Sequence, residues 1–229
     1  MSGPESRTAP ELAGGEPPPG SMPIIEGAGR QLRAPWAASI AGILFSVMFT
    51  AALVLVRSAS DQSGQSTAIV IGGLYLAPFA GIMFLWFVAV IRDQIGERED
   101  RFFATVFFGS GLLFVALLFT TAAVMSTPTT FVELIEGSQL STEGQAILRA
   151  LAYTLLFAMS TRAAAIFMIA TAVIGMKSGV FPRWFTLVGY LLGLVLLVAV
   201  SFLDWVILIL PAWVTVVSLF ILRRERTRR

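Results

Sequence analysis

Past residue 33 the chain alternates between long apolar runs and short polar or charged stretches. The first four runs cover 36–56, 67–91, 102–125 and 150–176. Each is long enough for an α-helix, at ~1.5 Å per residue, to cross a hydrocarbon core of ~30 Å. The last run, 184–222, is too long for one crossing, so a hairpin of two rather short spans is expected, bent near 201–205. Asp204 sits at that bend as a natural N-cap for the sixth span. The expected fold is all-α: a polytopic transmembrane bundle of six spans over residues 34–223.

The polar stretches complete the plan. Residues 1–33, with Gly14-Gly15-Glu16-Pro17-Pro18-Pro19-Gly20, lack apolar periodicity and read as a disordered Pro/Gly-rich cytoplasmic tail. No basic start runs directly into an apolar core, so this is not the pattern of a cleaved signal peptide. The stretch 92–101, Arg-Asp-Gln-Ile-Gly-Glu-Arg-Glu-Asp-Arg, is expected to form a solvated cap on helix ends. In 126–149, Thr130 and Glu133 fit a capping box, which predicts a short helix at the membrane surface with Phe131, Val132 and Leu134 turned inward. A second helix is expected to start at Ser141 or Thr142 and run unbroken into the fourth span. Lys177, Ser178 and Gly179 form a tight turn before Pro182.

Arginine and lysine near span ends set the orientation. With both termini cytoplasmic, that side collects Arg30, Arg33, Arg92, Arg98, Arg101, Lys177, Arg183 and the basic tail 224–229. The other side keeps Arg57 and Arg149.

Composition narrows the chemistry. The chain is 56% hydrophobic, with a formal net charge of +2, no cysteine and no histidine. Disulfides, thiolate nucleophiles, iron–sulfur sites and the usual general base are thereby removed, and nucleic acid is a poor partner. No catalytic motif, metal site or cofactor is expected. Arginine far outnumbers lysine, and alanine, glycine and valine abound, a bias of GC-rich bacterial genomes. A multi-pass protein of a bacterial cytoplasmic membrane is therefore expected.

Within the spans, small residues mark packing faces: Gly73, Ala77 and Gly81 on the second, and the GxxxG pair Gly189 and Gly193 on the fifth. Pro78 and Pro211 are expected to kink their helices and free the carbonyls of Leu74 and Ile207. Arg162 stands alone amid the fourth run, where a charge costs a few kcal/mol even on gentle insertion scales. Residue counts place Ser46, Pro78, Arg162 and Pro211 near one depth at the bilayer midplane, with Tyr75 about one turn away from Pro78. Arg162, Tyr75, Ser46 and Asp204 are the candidate ligand-binding set. Freed carbonyls or Asp204 could instead satisfy Arg162 structurally.

The charged stretch 92–101 and the Arg162 region resemble uncharacterised multi-pass membrane proteins of GC-rich bacteria, a likeness that implies fold and location and carries no activity. Two readings remain. In one the chain is a non-enzymatic membrane component that binds another protein or a second copy of itself. In the other it is a small permease, or a bundle that binds a small polar or anionic solute at Arg162.

Overall fold

The computed structural model describes residues 35–60, 67–95, 101–135, 138, 140–179, 181–198 and 204–226. The tail 1–33, the middle of the charged stretch 92–101 and the linker 199–203 lie outside these, as does the end of the basic tail. All regular structure among the described residues is helical: α1 Pro35–Ser60, α2 Thr67–Ile95, α3 Arg101–Leu134, α4 Thr142–Tyr153, α5 Thr161–Lys177, α6 Arg183–Val198 and α7 Ile209–Arg226. A π-helical segment, Thr154–Ser160, joins α4 to α5, and a 3₁₀ turn, Asp204–Leu208, leads into α7. Five of the resulting rods are long and apolar enough to cross a membrane, and α6 is a shorter apolar helix of 16 residues, ~24 Å long. The chain is an all-helical membrane bundle.

Local chemistry explains the helix ends. The Ser141 hydroxyl accepts the Gly144 N–H at 3.1 Å, and Glu143 stands in the first turn of α4, where a carboxylate suits the helix dipole. From there the chain runs without a break to Lys177, as the sequence predicts. At the other end Gly179 takes φ 64°, a left-handed conformation that costs glycine nothing. The Gly179 and Phe181 amides then return to the carbonyls of Met176 and Gly175. The Phe181 ring folds back onto Gly175, in space that a methyl group there would fill.

The segment after the third span differs from expectation. No surface helix starts at Thr130. Instead α3 continues through Pro128 to Leu134, and Thr130 donates to the Ser126 carbonyl at 3.2 Å rather than capping a new helix. Ser126, Thr127 and Thr129 likewise bond back to carbonyls one turn earlier. Their acceptors are the carbonyls of Ala123 and Ser126, so these hydroxyls bracket Pro128 without replacing the bond its missing N–H would have made to Val124. Val132 and Leu134 face outward, Leu134 at 78% exposure, instead of turning inward. As a result α3 and α4 form an antiparallel helical hairpin that outruns the other spans at one end of the bundle.

Neighbouring helices pack in the order α7, α1, α2, α3, α5, α6. In hydrocarbon an apolar side chain gains nothing by leaving lipid for protein, so close packing and polar contacts must hold such a bundle. Its centre is made of phenylalanine. Phe45 of α1 lies 4.7 Å from Phe84 of α2, which lies 5.1 Å from Phe114 of α3 and 4.9 Å from Phe167 of α5. Phe107 stacks on Phe167 at 5.0 Å. All five rings are fully buried. On α5, Phe167 is ten residues from Lys177, ~15 Å along the helix, or half the thickness of a ~30 Å core.

The bundle ends carry interfacial chemistry. Lys177 sits over Phe103 at 4.3 Å and Arg92 over Phe108 at 4.6 Å, so two cations rest on rings of α3 at one end. At the other end Arg57 lies over Trp205 at 5.3 Å. Trp184 and Trp205 stand exposed at opposite ends of the α6–α7 pair, as an aromatic belt requires.

Candidate functional site

Of the four candidate ligand residues, the three with described side chains, Tyr75, Ser46 and Arg162, make separate contacts. Tyr75 is 70% exposed, in an outward stripe of α2 with Phe79, Ile82 and Trp86. It faces lipid, about 25 Å along the helix from Arg92, which is the level of an interfacial aromatic and not of a central site. Asp204 opens the 3₁₀ turn before α7, but its side chain lies outside the described residues.

Ser46 does meet Pro211. The buried Ser46 hydroxyl lies 2.9 Å from the Gly42 carbonyl and 2.9 Å from the Pro211 carbonyl, tying α1 to α7. Thr215 donates to the same Pro211 carbonyl at 2.8 Å. Pro211 occupies the third position of α7, directly after the 3₁₀ turn. The helical run is continuous from Trp205 to Arg223, so Pro211 lies inside it, just past the change from 3₁₀ to α-helix, and the i−4 carbonyl it cannot pair is that of Ile207. Pro78 lies inside α2, which is helical on both sides of it.

The small residues are notches for neighbours. Gly73 abuts the Ala52 carbonyl and Val56 on α1, while Gly81 receives the Phe119 ring of α3, and Ala77 between them is buried. Gly193 lies against Ile169 and the Ala165 carbonyl of α5. Gly189 accommodates the Trp213 ring of α7, which stacks on Phe185 at 4.6 Å and 8°. A further notch lies on α1, where Ala38 and Gly42 are small residues four apart. A methyl group on Gly42 would overlap the Ser218 hydroxyl of α7 and crowd the Phe87 ring. The small residue itself was visible, but the partner that fills it was not.

Arg162 finds its acceptor on its own rod. The guanidinium Nη1 donates to the carbonyl of Ala158, one turn back, and among the described residues no carboxylate reaches it. The expected partners, Leu74 and Ile207 carbonyls on other helices, are not used. The rod is π-helical just before this point, which sequence spacing did not reveal. Returning from i→i+5 to i→i+4 bonding leaves a carbonyl at the junction without a backbone donor. Thr161 bonds the Phe157 carbonyl at 2.6 Å, and Arg162 takes the next one. Reaching back also moves the charge. Ala158 is 19 residues from Lys177, ~28 Å along the rod, so the guanidinium snorkels close to the far edge of a ~30 Å core. The midplane holds the phenylalanine cluster instead.

Five buried polar groups have no hydrogen-bond partner among the described residues: the hydroxyls of Ser39, Ser160, Thr186 and Ser218, and the Trp213 indole N–H. No group of carboxylates able to hold a metal ion occurs among the described residues. No protein-family profile, curated protein or solved structure matches this chain.

Proposed function

We propose that this integral membrane protein is a non-catalytic component of a bacterial cytoplasmic membrane that holds a partner protein through the α3–α4 hairpin. The observation that carries the reading is the solid midplane. Phe45, Phe84, Phe114 and Phe167 interlock where a solute path would need polar walls. Of the buried hydroxyls, Ser46 is spent on α7 and Thr171 on its own helix. What the bundle offers beyond the bilayer is the hairpin, where Leu134, Ile135 and Ile147 are exposed on segments that outrun the other spans. Apolar side chains presented to water mark interaction surfaces.

A photo-crosslinking residue at Ile147, compared with one at the lipid-facing Leu191, tests this reading in cells. A discrete protein adduct is expected from Ile147 and only lipid from Leu191. Identical lipid adducts from both positions would sink the proposal.

The arrangement has both termini in the cytoplasm and the hairpin outside. Since the chain has no cysteine, single cysteines at Ser63, Ser138 and Gly96 can be labelled without background. An impermeant maleimide added to intact cells is expected to reach the first two and not the third. Labelling of Gly96 alone would invert the topology.

A further inference from the structure

We propose that Arg162 binds the phosphate of a phospholipid headgroup, in the leaflet on the side of the α3–α4 hairpin. The inference stands apart from the partner-binding reading, because it concerns a different face. A guanidinium has five N–H donors in a planar fork, and the Ala158 carbonyl takes one. The others cannot go unpaired in hydrocarbon, where each unsatisfied polar group costs several kcal/mol.

Three features say where their acceptors come from. The neighbours of Arg162 at −3 and +4, Met159 and Ile166, are 48% and 40% exposed, so this edge of the rod borders lipid. The side chain climbs to the level of Ala158, ~28 Å from Lys177, where hydrocarbon gives way to headgroups. Finally, α6 runs antiparallel to α5 with Gly193 against Ala165 and Ile169, and its helix ends five residues later at Val198. At ~1.5 Å per residue that end lies beside Arg162, so the helical part of α6 does not cover the level of the guanidinium. The acceptors native to that depth are phosphodiester oxygens, whose paired geometry fits the fork of an arginine.

The test uses the full chain purified in non-ionic detergent and melted with three additives. These are phosphatidylglycerol, diacylglycerol of the same acyl chains, and inorganic phosphate. Phosphatidylglycerol at saturation is expected to raise Tm by about 5 °C or more. The other two are expected to leave it unchanged. Arg162→Met should lose the shift and Arg162→Lys should keep part of it. An equal shift with diacylglycerol, or a full shift in Arg162→Met, would overturn the proposal. A shift with inorganic phosphate alone would make the occupant a soluble anion and overturn the lipid assignment. Asp204 is the rival partner: if Asp204→Asn destabilises the chain as severely as Arg162→Met and the double variant recovers, the site is an ion pair. Should Arg162→Met fail to accumulate, the comparison of phosphatidylglycerol with diacylglycerol on the unaltered protein decides alone.

Discussion

Helix α7 meets its two neighbours by opposite means. Against α1 the backbones come close: the Ser218 hydroxyl fills the notch at Gly42, and the Ser46 hydroxyl bonds the Pro211 carbonyl. Against α6 the backbones stay apart, and aromatic rings bridge the gap, with Trp213 stacked on Phe185 and Phe220 4.7 Å from Phe185. The first seam gains from dispersion between backbones and from hydroxyl contacts. The second depends on the volume of a few large side chains. A seam of small residues tolerates no addition, and a seam of rings tolerates no loss.

The largest effect is therefore expected at the ring seam. Trp213→Ala removes the side chain that fills the Gly189 notch, and truncations of this kind cost about 3–5 kcal/mol. Unfolding in mixed detergent–SDS micelles should show it, and a loss below about 1 kcal/mol would mean that lipid or α6 collapses into the space. Next comes Gly42→Ala, which drives a methyl group into Ser218 and should cost about 1–3 kcal/mol through overpacking. Ser218→Gly in the same chain is expected to restore much of that loss. Absence of recovery would place the clash on Phe87.

Smaller and opposite in sign is Trp213→Phe. It keeps a ring over Phe185 and deletes a buried N–H that has no partner among the described residues, so stability should hold or rise by up to about 1 kcal/mol. A clear loss would show that the indole has an acceptor. The smallest effect is expected for Ser46→Ala. Polar contacts between membrane helices average about 0.6 kcal/mol, because hydroxyls find other partners when helices separate. A loss above about 2 kcal/mol would make the Ser46–Pro211 bond the main clasp of its seam.

The two seams also divide what could be read in advance. Spans follow from composition, because ~20 apolar residues in a row have few alternatives to a crossing helix. The Ser141 cap and the Gly179 turn were equally legible, being local pairings of residue type and backbone shape. Pro128 inside α3 was not, since a proline beside a plausible capping box reads as a stop. The settings of Tyr75 and Arg162 were hidden for a related reason. Residue counts give the depth of a Cα atom but neither the side of the helix nor the reach of a long side chain. The Ser46–Pro211 contact joins positions 165 apart in the chain, and no local pattern could announce it.

The π-helical segment between α4 and α5 works as a gear tooth. It wraps one more residue into its turn than an α-helix would, so α4 is rotated relative to the faces set by α5 by about 100°, the angle of one residue at ~3.6 per turn. Deleting a single residue from 154–160 would let the rod relax to plain α-helix without shortening the crossing appreciably. The membrane-embedded half could then keep its packing while the protruding half turned by more than a quarter of a revolution, carrying Ile147 away from its present heading. A one-codon change could thus re-aim whatever the hairpin meets and leave the bundle beneath it intact.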